Sequence, residues 1–411
     1  MGFTYDALNQ AVAKDAAFRR RRRLQPVGGI GDKIFPPTYP GEIGRNPPPQ
    51  HVFERRRIDG AEVWCVLLDS VQSQANRLEE ALLEAARANR IALPRLTVDF
   101  AGAGLNSIGE ITSLDAPHRV FDAILRDSLL DGTPLMESDV GNGLKEATAK
   151  DASAILEASP SALLFGVWNS TGEGGGIGAK FARAIVSEII GINVPVEAGA
   201  TDPQTGEVQT RTAARRTSSR IDPLSILRAV DIYKGQNGWE VTENAAGAKA
   251  KKVRPSEINH GNIRPSVDAL GITCAYGEQT AVITLAGLRR IRFGGPAARD
   301  DAGRALIAAL GLTALVEQDA QGYSLRSRCD LVCEGDAPIE KVAFDGSTEG
   351  LTLSRDEATA LYKEAYAKAG EAGFELDATP RRLVPQEKLL AIVRQSMELA
   401  LRDGDDTDEG E

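Results

Sequence analysis

Basic side chains are the residues of this sequence with the clearest chemical meaning, and they form four separate clusters. Five consecutive arginines occupy positions 19–23, and further groups fall at 211–220, 249–264 and 289–292. Arginine and lysine donate charge-assisted hydrogen bonds to phosphate oxygens, and aromatic side chains in neighbouring loops can stack on exposed bases. The clusters together predict RNA binding. For 19–23 taken alone, a solvated charge run is the alternative interpretation.

The net charge of the chain hides this pattern. The 411 residues include 48 Lys plus Arg and 58 Asp plus Glu, a formal charge of -10. Residues 301–411 hold 12 basic and 23 acidic side chains, which leaves 36 basic and 35 acidic ones for 1–300. The negative excess therefore lies in the last quarter. Such a distribution favours a confined basic groove for one strand over a uniformly positive surface.

A glycine-rich segment, NSTGEGGGIG, follows the apolar string SALLFGVW and precedes AKFARAIVSEIIG. We expect a buried strand, a loop and a helix, an order in which backbone N–H groups and the helix dipole can hold an anion. The segment is not a P-loop, because Ala179 separates Gly178 from Lys180 and Phe181 replaces the Ser or Thr that would bind magnesium.

Three interpretations of this loop stay open. It matches the dinucleotide pattern G-x-G-x-x-A at Gly174, Gly176 and Ala179, with Glu197 further on. Against a dinucleotide site, five residues separate Trp168 from the first glycine of the pattern, where a dinucleotide fold turns almost at once. A nucleic-acid phosphate contact is the interpretation we favour, and a plain flexible loop is the third.

Catalytic or metal-binding patterns are weak. The three histidines, His51, His118 and His260, have neither metal-ligand nor nucleophile-base spacing. Cys329 and Cys333 lie four apart in CDLVC, which favours two core thiols on one face of a strand over a metal site. We expect no metal and no cofactor.

The pattern of the chain predicts an α+β fold with long loops. The Pro- and Gly-rich stretch 19–57 cannot form a regular helix and is predicted to be a basic loop system. EVWCVLLDS predicts a strand, and SVQSQANRLEEALLEAARAN (70–89) predicts a helix with Ser70 as its N-cap. Helical patterns dominate after residue 296, before the acidic end DGDDTDEGE. No apolar run approaches the length of a membrane span, so we expect a cytoplasmic protein without a membrane partner.

Several strings resemble one family: RLQPVGGIGDKIFPPTY, LLDSVQSQANRLEEAL, LLFGVWNSTGEGGGIGAKFARAIVSEIIG, PSEINHGNIRPS and LAGLRRIRF. They are similar to the RAMP-type backbone subunit of CRISPR Cascade complexes, the seventh Cas family, in the type I-G (earlier I-U) branch. The resemblance covers about 19–295. It implies an RRM-like (ferredoxin-like) palm with large inserted finger and thumb loops, to which this chain adds a helical, acidic C-terminal part.

The resemblance also implies partners and a function. Such subunits do no chemistry in type I systems; copies stack head-to-tail along a CRISPR RNA, beside other Cascade subunits, and the guide pairs with the target DNA strand. The string S-x-Q-S-Q, residues 70–74, corresponds in that family to the start of a helix that contacts the RNA backbone. The predicted RNA-binding residues are Arg20, Arg21, Arg22, Lys33, Ser70, Gln72, Ser73, Gln74, Arg77, Gly174, Gly175, Gly176, Lys180, Arg215, Arg216, Arg220, His260, Asn262, Arg289 and Arg290.

The predicted organisation has four parts. A basic N-terminal segment and loop covers 1–60, the palm 61–295 with a thumb at about 196–264, a C-terminal helical and strand part 296–401, and an acidic tail 402–411. Two enzyme interpretations compete with the guide-binding one: an RNA-cleaving RAMP subunit using the loop aspartate Asp32, and a dinucleotide-binding enzyme using the G-x-G-x-x-A loop. A structural protein whose basic loops bind only protein partners is a further alternative.

Overall fold

The computed structural model describes residues 2–43, 47–169, 180–221, 223–224, 230–258 and 260–406. Its helices are α1 (Tyr5–Lys14), α2 (Val71–Arg87), α3 (Ala123–Arg126), α4 (Asp139–Glu146), α5 (Ser153–Ala158), α6 (Pro160–Phe165), α7 (Glu243–Ala246), α8 (Leu285–Leu288), α9 (Ala297–Gln321), α10 (Arg355–Glu371) and α11 (Glu387–Asp406). Short 3₁₀ turns cover Arg119–Phe121, Leu135–Glu137 and Pro255–Ile258.

The strands, in chain order, are β1 (Ala17–Pro26), β2 (Phe53–Ile58), β3 (Ala61–Asp69), β4 (Leu96–Asp99), β5 (Glu110–Thr112), β6 (Ser128–Leu130), β7 (Thr133–Pro134), β8 (Val167–Trp168), β9 (Lys180–Phe181), β10 (Ile185–Ile192), β11 (Val196–Thr201), β12 (Val208–Thr212), β13 (Arg216–Arg220), β14 (Ile232–Gly235), β15 (Gly238–Glu240), β16 (Lys251–Val253), β17 (Ile263–Asp268), β18 (Tyr276–Thr284), β19 (Tyr323–Arg326), β20 (Cys329–Cys333), β21 (Ile339–Val342), β22 (Thr348–Leu351) and β23 (Arg381–Pro385). Helices and strands in comparable amounts confirm the predicted α+β class.

The chain divides into two compact units. The first comprises Met1–Pro195 and Thr273–Leu390, and the second comprises Val196–Ile272 and Ala391–Glu411. The predicted thumb, about 196–264, falls within the first segment of the second unit. Within the described residues, none of the helices is both long and apolar enough to cross a lipid bilayer.

The first unit is built on a large antiparallel sheet. Its main path runs β19-β20-β1-β18-β10-β3-β2, and β21 pairs with the start of β1 and with β22. Along the chain, the central elements follow the order β1, α2, β10, β18, α9, β20, a β-α-β-β-α-β sequence. The segment 196–272 is inserted between β10 and β18, two neighbouring antiparallel strands.

Helices α2 and α9 pack against each other, and α2 also packs on β10. In α2 the apolar side chains Leu78 and Leu82 recur at helical spacing and are buried. Helix α9 is apolar on all sides from Ala305 to Leu315 because α1, α2, α6 and α10 all pack around it. The core of the first unit therefore lies between the large sheet and these helices.

The remaining strands of the first unit form smaller sheets. One has the order β5-β4-β23-β6-β7, in which β23 runs parallel to β4 and the other pairs are antiparallel. Strands β8 and β9 form a two-stranded antiparallel hairpin on either side of 169–179. In the second unit, β11 pairs with β12, β13 with β17, and β14 with both β15 and β16.

Three predictions of local structure are wrong. Arg19–Arg23 do not lie in a loop but in β1, and Arg55–Arg57 lie in β2. SALLFGVW forms α6 and then β8 rather than one strand. The helix expected after the glycine-rich loop is absent from the described 180–192, which form β9 and β10. β-branched Ile and Val side chains make up most of 185–192 and favour a pleated sheet.

Candidate nucleic-acid interface

The arginine run of β1 divides between the two faces of the sheet, because successive side chains of a strand point to opposite sides. Arg20 is only 1% exposed and Arg22 is also turned inward, whereas Arg21 and Arg23 are exposed. Arg20 donates to Asp319 Oδ2 at 2.7 Å, and Arg22 lies 3.0 Å from the same oxygen. A direct RNA contact does not fit Arg20, whose charge is satisfied inside the protein.

The outward arginines of β1 have acidic or aromatic partners on the sheet. Arg19 lies 2.6 Å from Glu340, and Arg21 lies 3.0 Å from both carboxylate oxygens of Glu278. The guanidinium of Arg23 lies 4.1 Å from the centre of the Tyr276 ring. The two carboxylates lower the net charge of the face, so the run contributes less positive surface than its sequence indicates.

A buried hydrogen-bond network joins the sheet to the helices behind it, with Gln279 at its centre. The Gln279 side-chain oxygen accepts from Arg20 at 2.9 Å and from the Tyr323 hydroxyl at 3.1 Å. Its amide nitrogen lies within hydrogen-bond distance of Gln74, Ser187 and Gln318. Hydrogen bonds among these buried side chains favour one arrangement of the elements that carry them, although the buried Nε of Arg20 has no partner among the described residues.

The predicted contacts at the start of α2 separate into structural and accessible residues. The Ser70 hydroxyl accepts from the Ser73 N–H at 3.2 Å and caps the helix, as the sequence predicted. Gln72 is exposed. Gln74 is completely buried and donates to Asp69 Oδ2 at 2.7 Å, so its position fits a structural role and not contact with RNA.

Two arginines share the buried carboxylate that precedes α2. Arg77 donates to Asp69 Oδ2 at 2.9 Å, and Arg326 donates to Oδ1 at 3.1 Å. Both arginine side chains keep about a quarter of their surface exposed. Two cations and one anion leave one positive charge beside the positive end of the helix dipole, which is a favourable environment for phosphate.

The glycine-rich hairpin presents an aromatic side chain and a cation together. Trp168 in β8 is 49% exposed and pairs across the hairpin with Lys180 in β9. The Lys180 Nζ lies 4.9 Å from the centre of the Trp168 ring. Gly174, Gly175 and Gly176 lie outside the described residues. Since β9 follows the loop, the helix dipole on which the dinucleotide and helix-anion interpretations rested is missing at Lys180.

The base of this hairpin is tied to α2 by a buried ion pair. Arg119 donates to both oxygens of Glu79, at 2.7 and 2.8 Å, and to the Gly166 carbonyl at 2.8 Å. Burial raises the pKa of the Glu79 carboxyl to about 7, although Arg119 acts in the opposite direction. The pair therefore fixes the chain where it enters β8.

The predicted thumb arginines lie around β13 of the second unit: Arg215 directly precedes this strand, and Arg216 and Arg220 are its first and last residues. Arg215 and Arg211 both contact Glu197, and the hydrogen bond from Arg215 lowers the pKa of that carboxyl. Arg216 lies 3.0 Å from Asp268, and Arg220 is exposed. These are ion pairs at the surface, where screening keeps each contribution small.

His260 and Asn262 lie close together in the sequence before β17, and Asn262 is exposed. The ring of His260 meets the half-exposed ring of Trp239 edge to face, with 6.3 Å between centres. Trp239 in turn pairs across strands with Lys234. The second unit thus also combines an exposed aromatic ring with basic neighbours.

The remaining predicted contacts differ in accessibility. Arg289 donates to the carbonyls of Val12 and Asp15, so it stabilises the fold, whereas Arg290 is exposed. Lys33 lines a cavity of about 160 Å³ together with Asp32, and its backbone N–H donates to the Asp32 carboxylate at 2.8 Å. Arg328 and Asp330 line the same cavity, so both signs of charge surround Asp32.

The cysteines of CDLVC are free thiols within β20, and the prediction of a core thiol is confirmed for Cys329, which is buried. Burial raises the pKa of Cys329 to about 11, which disfavours the thiolate that a metal ligand or a nucleophile requires. Cys333 is half-buried and accepts a hydrogen bond from Arg22 at 2.9 Å.

Sequence reasoning missed the accessible residues Trp168, Trp239 and Arg326. The signal for Trp168 is an aromatic residue directly before a glycine-rich loop that ends in a lysine. Trp239 follows a Gly-rich turn, QNG, between short extended runs. Nothing in the sequence indicates that Arg326 meets Asp69, because 257 positions separate them.

Residues 18–196 match the family model described as CRISPR-associated protein GSU0053. The comparison with curated proteins gives no match. The matched range contains β1, the start of α2 with its two serines, the β8–β9 hairpin and β10. The match covers less than half of the chain, and through this segment the chain is similar to a family of CRISPR-associated proteins.

Proposed function

We propose that this protein is a noncatalytic RNA-binding subunit that assembles along the guide RNA of a type I Cascade-type CRISPR complex. The observation that carries the proposal is the match of 18–196 to a CRISPR-associated family, and this range includes Arg77, Trp168 and Lys180, three of the residues suited to a nucleic-acid strand. In this function, phosphate contacts position the guide, and base pairing of the guide reads the target DNA.

The order of elements supports an RRM-like palm as part of this proposal. The β-α-β-β-α-β arrangement of β1, α2, β10, β18, α9 and β20 is that of ferredoxin-like domains. The insertion of 196–272 between β10 and β18 agrees with a thumb emerging from such a palm.

The charge distribution supports a localised interface. Cationic groups with exposed surface occur at the start of α2 (Arg77, Arg326), on the hairpin (Lys180) and at Arg290, whereas the arginine run is largely paired with acids. When a few such groups bind an RNA strand, the slope of log affinity against log salt concentration reports the number of phosphates that they contact. Self-assembly along the guide requires a head-to-tail interface that does not close into a ring.

The direct test is binding of a labelled single-stranded RNA and of a duplex DNA of equal length, over a range of salt concentrations. We expect tighter binding of the RNA and a linear fall of log affinity with log salt. The RNA should remain full length after incubation with magnesium, in the wild type and in Asp32→Ala alike. Cleavage that Asp32→Ala abolishes would instead support an RNA-cleaving subunit.

A further inference from the structure

We propose that Trp168 and Lys180 form a stacking site for one unpaired base of the bound RNA, a role that rests on the function proposed above. The indole ring is 49% exposed, although the neighbouring Val167 and its cross-strand partner Phe181 are buried. A large aromatic ring is thus held at the surface by a hairpin whose next residue pair is anchored in the core.

The backbone at the base of the hairpin takes a conformation that requires a glycine at one position and is uncommon for the residue at another. Gly166, two residues before Trp168, has φ +84°, and a Cβ there would lie 2.9 Å from the backbone nitrogen of Arg183. Arg119, which donates to the Gly166 carbonyl, has φ +51°, a conformation uncommon for a residue with a side chain. Strain of this kind persists only where surrounding contacts enforce it, and it concentrates at functional sites.

The buried ion pair supplies those contacts. Arg119 and Glu79 are less than a tenth exposed, and two hydrogen bonds join them. A third hydrogen bond reaches Gly166, so α2 and the hairpin are linked through one guanidinium. The Trp168 ring is consequently presented on a preorganised base, which lowers the entropy lost when a ligand stacks on it.

The chemistry of Trp168 and Lys180 determines which class of ligand the site can bind. A flat indole face attracts any base, because every base has a π-face, and the ammonium group 4.9 Å away can meet the phosphate that accompanies the base. A duplex covers its base faces by stacking, so the site suits single-stranded RNA. Such a site does not distinguish one base from another, which suits a protein that binds guide RNAs with different spacer sequences.

The test compares RNA affinities of Trp168→Ala, Trp168→Phe and Lys180→Ala with the wild type. Stacking contributes about 1–3 kcal/mol per base, so Trp168→Ala should weaken binding about 5- to 150-fold and leave the salt slope unchanged. Trp168→Phe should retain most of the affinity. Lys180→Ala should lower the salt slope by about 0.7, the value for one phosphate contact on a single strand.

Phe344 provides a matched control, since it is 68% exposed and lies 5.2 Å from the guanidinium of Arg289. Phe344→Ala should bind RNA like the wild type. Circular dichroism melting checks that each variant folds. If the wild type binds RNA and folded Trp168→Ala binds equally tightly, the stacking site is refuted while the proposed function stands; loss of self-association alone would make Trp168 a protein contact. A wild type that binds no RNA would overturn both.

Discussion

The Nη2 atom of Arg20 lies 2.9 Å from Oε1 of Gln279, inside the protein. Two residues further along β1, the guanidinium of Arg22 contacts Asp319, whereas Arg21 and Arg23 are turned outward. One run of identical residues thus serves both the core and the surface. Its inward members stabilise the fold, and of the outward ones Arg21 pairs with the Glu278 carboxylate whereas Arg23 lies over the Tyr276 ring.

This division predicts opposite outcomes for two arginine replacements. Arg20→Ala removes the partner of buried Gln279 and of Asp319 and should lower the free energy of unfolding by about 3 kcal/mol or more. Arg23→Ala removes a cation–π contact at the surface and should cost below about 1 kcal/mol. Urea unfolding followed by circular dichroism measures both; equal, small losses would contradict the inward role of Arg20.

The Glu79 carboxyl predicts a pH dependence of stability. Its pKa rises from the model-peptide value of 4.5 to about 7 in the folded state, so the folded protein binds more protons than the unfolded chain between these values. This contribution to stability is present below about pH 4.5 and is lost as pH rises through 7. The expected loss over the window is about 3 kcal/mol.

Glu79→Gln keeps the shape and an acceptor for Arg119 but does not titrate. Between pH 5 and pH 7.5 the unfolding free energy of the wild type should therefore fall relative to that of the variant as pH rises. A difference that stays constant with pH would show that Glu79 is ionised throughout.

The second unit allows a test of its basic residues. Replacing Arg215, Arg216 and Arg220 together with Ala should weaken RNA binding and make its salt dependence shallower. The surface ion pairs with Glu197 and Asp268 contribute little to folding, so the variant should remain folded.

Glu197→Gln is the matched control for this triple variant. It removes the acid that Arg211 and Arg215 share, so it should tighten RNA binding rather than weaken it. A triple variant with the salt slope of the wild type would mean that these arginines only solvate a surface.

Structural features that are determined by neighbouring residues can be predicted from the sequence more readily than features that depend on distant residues. Helix α2 is predicted from the spacing of its apolar residues, and its cap from the hydroxyl of Ser70, which accepts a hydrogen bond from the backbone N–H of Ser73. Both predictions are confirmed. The helix predicted after the glycine-rich loop is wrong, because the β-branched residues that predominate at 185–192 favour a strand.

The faces of the arginine run could not be predicted from neighbouring residues. The partners of Arg20, Gln279 and Asp319, lie 259 and 299 positions away, and only the assembled sheet brings them together. The same applies to Arg326 and Asp69 at the start of α2. Exposure of Trp168 likewise depends on the hairpin register and on the hydrogen bond from Arg119 to Gly166.

The most direct test of RNA-guided assembly is a nuclease-protection measurement on the protein purified after co-expression with a CRISPR array. We predict that CRISPR RNA co-purifies and that limited nuclease treatment leaves protected fragments whose lengths differ by a constant number of nucleotides. Purification without RNA, or with RNA that shows no regular protection, would contradict the account.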